Sequence, residues 1–173
     1  MRNLVFVDCE AFGGCPATGQ LTEFGAVTYP EKKIFHGVIL KSRPSKENPA
    51  IPEPVSVEEQ GWPEGWTLDD QRAKVFKQFS SWLRENIKGR PIFVSDNVAY
   101  DWQWINDGFW RVLNSNPFGF SGRRISDFYA GLTGDWNNTQ KWKRLRRTVH
   151  DHNPVNDAMG NVEAFDRIIR GQR

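Results

Sequence analysis

Leu4-Val5-Phe6-Val7 is an unbroken apolar run that ends on two acids, Asp8 and Glu10. A run that is apolar at both alternating positions predicts a strand buried on both faces. Residues 21–29 and 34–40 predict two further strands, and Tyr29-Pro30-Glu31-Lys32-Lys33 between them has the composition of a hairpin turn. The period then changes. Thr67-Leu68-Asp69-Asp70 offers an N-cap and first-turn acids. Val75, Phe76, Phe79, Trp82, Leu83 and Ile87 follow at helical spacing until Gly89 stops the helix. Pro91 opens a short strand, Ile92-Phe93-Val94, and a second amphipathic helix is expected over 98–113. A turn-rich stretch covers 114–122. It is followed by a helix near 126–132, a polar basic segment, and a last helix over 154–169 with Pro154 suited to its first position. Three meandering strands, then helices alternating with a further strand, predict a mixed α/β sheet flanked by helices. Between Lys41 and Trp66 five prolines interrupt any period, so a long irregular excursion is expected, of the kind that is often functional.

Composition narrows the class without changing this picture. A length of 173 residues suits one domain covering 1–173, and 38% hydrophobic with 25% charged residues excludes a mostly disordered or membrane-embedded chain. No run approaches the roughly 20 apolar residues of a membrane span. Asp8 and Glu10 interrupt the first apolar run early, so no secretory leader is expected. Cys9 and Cys15 are too few for a disulfide framework or a four-thiolate zinc site and suit a reducing compartment. A soluble, cytoplasmic protein is therefore expected. Charge adds a partner. Residues 1–110 carry 12 Lys/Arg against 15 Asp/Glu, whereas residues 111–173 carry 11 against 6. The basic excess is densest in Lys141-Trp142-Lys143-Arg144-Leu145-Arg146-Arg147, which suggests a polyanion held near a separate carboxylate site. A solvated helix face would look the same.

The candidate chemistry lies in three places. Asp8 and Glu10, two apart on a strand, share one face and put Cys9 on the other. Two neighbouring carboxylates are costly to bury without a cation, and oxygen ligands suit Mg²⁺ or Mn²⁺; a strand end emerging into solvent is the bland alternative. Asp101 sits four residues after Asn97 at a helix start, among Tyr100, Trp102 and Ile105. A simple first-turn acid after an N-cap is the alternative there. His152-Asn153-Pro154-Val155-Asn156-Asp157 puts Asp157 one turn into the last helix and His152 on the loop before it. Here too a solvated loop and a favourable helix-start charge would suffice.

Taken together, Asp8-x-Glu10, Asn97-x-x-x-Asp101 and His152-x-x-x-x-Asp157 resemble the three motifs of the DEDDh 3′-to-5′ exonucleases, the DnaQ-like branch of the ribonuclease H-like superfamily. Leu21-Thr22-Glu23-Phe24-Gly25-Ala26-Val27 is similar to that family's second strand, and Asp157-Ala158 to the end of its third motif. The likeness covers nearly the whole chain, in order. Asn153 stands where the tyrosine-type branch would have its tyrosine, which indicates the histidine type. Cys9 between the acids, Phe12-Gly13-Gly14 in place of the usual Thr-Gly, and the Pro-rich excursion depart from the pattern.

The resemblance implies a ribonuclease H-like α/β fold and two Mg²⁺ or Mn²⁺ ions that clamp the scissile phosphate. Asp8, Glu10 and Asp157 would hold one ion, and Asp8 with Asp101 the other. His152 would be the general base. Ala11, Phe12, Gly13 and Asn97 would surround the terminal nucleotide. Lys143, Arg144 and Arg146 would contact phosphates, with Trp142 as a stacking platform. The implied substrate is single-stranded RNA or DNA with a free 3′ end. RNA is somewhat preferred on small size and similarity to the RNase T and oligoribonuclease groups, and a homodimer is compatible with the resemblance. The rival readings are a DNA exonuclease, proofreading or phage-encoded, and a catalytically silent nucleic-acid-binding module on the same fold.

Overall fold

The computed structural model describes residues 3–40, 42–44, 52–54 and 61–172. Much of the Pro-rich excursion therefore lies outside the described residues. Among those of its residues that are described, the short strands β4 (Ser42–Pro44) and β5 (Pro52–Pro54) pair antiparallel.

The rest forms a five-stranded mixed sheet in the order β3 (Ile34–Val38), β2 (Gln20–Tyr29), β1 (Leu4–Phe12), β6 (Ile92–Ser95) and β7 (Gly122–Arg124). β1 is antiparallel to β2 and parallel to β6; β2–β3 is antiparallel and β6–β7 parallel. This is the α/β architecture expected, with the ribonuclease H-like arrangement of a meander followed by parallel strands. Two details differ. β1 continues through both acids to Phe12 because β2 pairs with it that far, the register slipping after Glu10. β7, three residues with two arginines, has no apolar pattern of its own and exists by pairing with β6.

Alternation along β1 divides the core. Val5, Val7 and Cys9 pack on helices α1 (Leu68–Asn86) and α2 (Val98–Leu113), with Phe76, Phe79, Ile105 and Phe109 fully enclosed. Leu4 and Phe6 face α3 (Ile125–Thr133) and α4 (Pro154–Ile169), where Tyr129, Ala158, Val162 and Phe165 meet them. Burying each such large side chain stabilises the fold by roughly 1.5–3 kcal/mol.

The helix ends are set by local chemistry. Thr67 and Asp70 exchange hydrogen bonds in a capping box at the start of α1. The Asn153 side chain accepts the N–H groups of Val155 and Asn156, and Pro154 fills the first turn of α4. A 3₁₀ helix, Lys141–Leu145, occupies the segment expected to be polar and basic. Its Trp142 points inward and is fully buried.

One contact decides where α4 sits. Gly25 lies opposite Asp8 in the β1–β2 register, and a Cβ added to it would come within 2.3 Å of the Pro154 carbonyl oxygen. The start of α4 therefore rests directly on bare backbone beside Asp8. Gly25→Ala should push α4 off the sheet, costing about 1–3 kcal/mol of stability by overpacking. The same shift should lower the exonuclease activity that the resemblance implies beyond the loss of folded protein. Thermal melting alongside the rate per folded molecule checks this; a fully active, equally stable variant would contradict it.

Candidate active site

The edge of β1 beyond Phe6 is open toward β6, because the parallel register ends at Phe6 and Val94. Asp101, in the first turn of α2, uses that opening: its Oδ1 accepts the backbone N–H of Cys9 at 3.0 Å. Cys9 itself is buried on the α1–α2 side, as the alternation requires, and its Sγ approaches the Asp101 carbonyl oxygen at 3.7 Å. Asp8 and Glu10 leave the opposite face. Asp157, in the first turn of α4, comes to meet them.

The result is two carboxylate triads that share Asp8. One is Asp8, Glu10 and Asp157; the other is Asp8, Asp96 and Asp101, and within each triad one oxygen per residue lies within 4.8 Å of the others. Asp101 is 2% and Asp157 1% exposed. Oδ2 of Asp101 and both oxygens of Asp157 have no hydrogen bond. Burial, reinforced by Asp101, Asp157, Asp96 and Glu10, pushes the Asp8 carboxyl far above its ordinary 3.8. Asp101 is raised as well, first by burial and then by Asp96 and Glu10. Burial, then Asp157 and Glu23, lifts Glu10 from 4.5 to about 7, with His150 acting in the other direction. Buried carboxylates with unused oxygens that raise one another's proton affinity form a donor set for hard cations. They fit Mg²⁺ or Mn²⁺.

The two histidines flank this set. His152 is 78% exposed at the mouth, its Nδ1 3.9 Å from Glu10 Oε1. Its backbone adopts a left-handed φ of +60°, an uncommon conformation for a residue other than glycine or asparagine. The loop is held by Asp151, whose carboxylate accepts the Asn153 N–H and the Asn156 side-chain amide. The His150 side chain, 53% exposed, brings Nδ1 to 2.7 Å from Asp157 Oδ2, though without hydrogen-bond alignment, and its ring lies tilted against that of His152 with centroids 4.6 Å apart.

The nucleic-acid candidates divide. Asn97 is exposed and makes no side-chain cap bond, so its amide is free at the rim beside Asp101. Ala11 and Phe12 are half-buried and Gly13 exposed on the strand end past Glu10. Of the basic cluster, Arg144 is exposed. Trp142 is not a stacking platform: its ring is enclosed, and Nε1 donates to Ser126 Oγ and the Thr139 carbonyl. Arg146 is 8% exposed and spent on Asp96 at 3.2 Å and Asn161 at 2.5 Å, which takes it out of reach of a surface phosphate. Lys143 Nζ also turns to Asp96, at 2.8 Å. A groove of about 350 Å³ lined by Lys143, Arg144, Arg146, Arg147, Thr148, Val149 and His150 leads from this segment to His150.

Asp96 escaped the sequence reading. Its one local signal is that it follows strand β6 directly and precedes Asn97, where the neighbouring strand carries Asp8 and Glu10. Glu23 escaped too; it stands opposite Glu10 in register and pairs with His36 at 2.7 Å.

A 3′-5′ DNA exonuclease, Cap18 of Escherichia coli, is 30% identical over 173 residues, spanning 95% of this chain and 90% of its own. The chain belongs to the DEDDh 3′–5′ exonuclease family. Its fold is shared with E. coli exonuclease I. The crystal structure of that protein with a dA16 oligonucleotide superposes with a TM-score of 0.55 at 13% identity, covering all 100% of this chain and 41% of the other. The zinc-bound form of an E. coli ExoI–ssDNA complex gives 0.50 at 16%, with 98% and 39% covered. The chain thus spans about two fifths of exonuclease I. No protein-family model matches. As a DEDDh exonuclease the chain is a hydrolase acting on nucleic acid from the 3′ end. Among its described residues no helix is long and apolar enough to cross a membrane.

The crowded acids make stability depend on pH in a defined direction. Asp8, Glu10 and Asp101 hold protons more tightly folded than unfolded, so the folded state binds more protons above their ordinary values of 3.8 and 4.5. Stability of the metal-free protein should then fall as pH rises from about 4.5 through the raised values. Melting in chelator across pH 5–8.5 should show this fall, and Mn²⁺ should reverse it. Asp8→Asn, which removes one charge, should raise the chelated melting temperature at pH 8 by about 2–4 °C, the equivalent of about 1 kcal/mol at this chain length. A flat pH profile, or a lower melting temperature for the variant, would contradict this reading.

Proposed function

We propose that this exonuclease degrades single-stranded DNA from a free 3′ hydroxyl, with two divalent ions and a histidine general base. The observation that carries this reading is the pair of carboxylate triads sharing Asp8, open to solvent beside His152. DNA is favoured over the RNA expected from size because the relative that covers nearly the whole chain is named a DNA exonuclease, and the solved relatives hold single-stranded DNA.

Asp8, Glu10 and Asp157 would hold one Mg²⁺ or Mn²⁺, and Asp8 with Asp101 the second. When bound, such a pair supplies Lewis acidity and neutralises the phosphate. The chain's own groups do the rest. His152 turns Nδ1 toward Glu10, which leaves Nε2 facing solvent. Nε2 takes the proton of the attacking water, and the Glu10 carboxylate stabilises the imidazolium that results. The loop pinned by Asp151 holds that ring at the mouth. Asn97 and the backbone of Ala11, Phe12 and Gly13 border the terminal nucleotide, and Phe12 wedges against its base. The groove that runs from Arg144 and Arg147 to His150 carries the preceding phosphates.

End-labelled single-stranded DNA and RNA of one sequence, with Mg²⁺ or Mn²⁺ and with chelator, test the substrate. A ladder from the 3′ end of DNA, slower on RNA and absent in chelator, is expected; faster RNA turnover would overturn the DNA assignment. Cutting of a circular strand would overturn the exonuclease mode. On the preferred substrate His152→Ala should lower kcat by about 10²–10⁴-fold, the usual contribution of a positioned base. His150→Ala should lose less, and a larger loss for His150→Ala would transfer the base to it.

A further inference from the structure

Asp96 belongs to none of the three motifs, yet it completes the second triad with Asp8 and Asp101. Two cations from the 3₁₀ segment converge on it. Lys143 Nζ and Arg146 Nη2 both approach Oδ2, at 2.8 and 3.2 Å, and the Arg124 guanidinium binds its backbone carbonyl at 3.0 Å. Oδ1 has no partner among the described residues. Across the triad, Oδ2 of Asp101 is also without a hydrogen bond although Asp101 is 2% exposed. The two cations differ in character. Arg146 is 8% exposed and anchored to Asn161, whereas the Lys143 side chain is 40% exposed on a flexible stem.

We infer that Asp96 is a fifth carboxylate of the active site, presenting Oδ1 to the second divalent ion beside Asp8 and Asp101, and that Lys143 is the tethered counter-ion which gives way to that ion. This rests on the two-ion reading above. Arg146 is the fixed half of the clamp, and it holds the carboxylate in place whether or not the ion is bound. Lys143 is the mobile half. Its ammonium neutralises the triad in the metal-free protein, and its charge opposes a divalent cation at the same place. Asp96 and Lys143 should therefore act on ion affinity in opposite senses. A purely structural salt bridge predicts instead that loss of either partner acts in the same sense.

The test is Mn²⁺ binding to the full chain, followed by calorimetry and by the paramagnetic signal of free Mn²⁺, for the wild type, Asp96→Asn and Lys143→Met. Melting curves confirm that each is folded. Two ions should bind the wild type. Asp96→Asn should weaken the second by about tenfold or more, comparable to the loss of a supporting group at a metal site, and leave the first unchanged. Lys143→Met should tighten the second by about 2- to 5-fold, the scale of a partly exposed charge pair. A wild-type isotherm for Asp96→Asn, or weaker binding in Lys143→Met, would overturn the inference and leave the two-ion reading standing. A wild type that takes up fewer than two ions would overturn both.

Discussion

Repulsion among carboxylates at the end of β1 is the constraint on which the rest of this structure depends. Five acids from four elements gather in two triads around Asp8: Asp8 and Glu10 from β1, Asp96 after β6, Asp101 from α2 and Asp157 from α4. Two unit charges 4 Å apart repel by about 4 kcal/mol in the intermediate dielectric of a protein surface, so such a group does not assemble by its own energetics. It is imposed by packing elsewhere. The apolar layers on both faces of the sheet fix β1, and Gly25 lets α4 settle against β2. The early end of the β1–β6 register leaves the Cys9 N–H for Asp101. The stability of the two cores sustains a locally unfavourable site, and the stored repulsion becomes affinity for cations.

The uneven charge of the chain acquires a second meaning in this light. The basic segment is not wholly a phosphate-binding face, since Lys143 and Arg146 bend back onto Asp96 and only some of the cluster looks outward. Trp142 is what makes that bend possible. Its ring fills the gap under the 3₁₀ helix with its N–H satisfied by Ser126 and Thr139, and the Arg146 guanidinium lies 5.0 Å over the ring. An aromatic residue inside a basic run thus anchors the run to the core, and the charges on either side are sorted into one set that faces the acids and another that faces the groove.

How much of this was legible in the sequence depends on the range of the forces involved. The placement of Asp8 and Glu10 on one face follows from the period of a strand, and that of Asp101 and Asp157 from helix starts marked by Asn97 and by Asn153-Pro154. All are local signals. Asp96 was not legible, because its neighbours Lys143 and Arg146 are about 50 residues away and become neighbours only through α4 and the 3₁₀ segment. Nor was β7, whose arginines carry no period and which pairs only because β6 offers an edge. The burial of Trp142 was misread for the same reason. The composition of Lys141–Leu145 signals solvent, and only tertiary contacts reveal the inward ring.

The two histidines show the same division at the scale of one loop. Both precede α4, and sequence spacing separates them only by their distance from Asp157. The fold separates them by what each faces. His150 lies against Asp157, a carboxylate that the two-ion reading assigns to a cation, so its contact competes with that cation for the carboxylate. His152 faces Glu10 only at ion-pair range and keeps the far side of its ring in solvent, where a base must meet a water and then release its proton. The left-handed turn at His152 makes this possible. At a φ of +60° the backbone is held in a conformation uncommon for a residue of this type, and Asp151 ties down the residues that follow it. Strain placed there holds an exposed ring at the edge of the acids without a hydrogen bond that would occupy its reactive nitrogen.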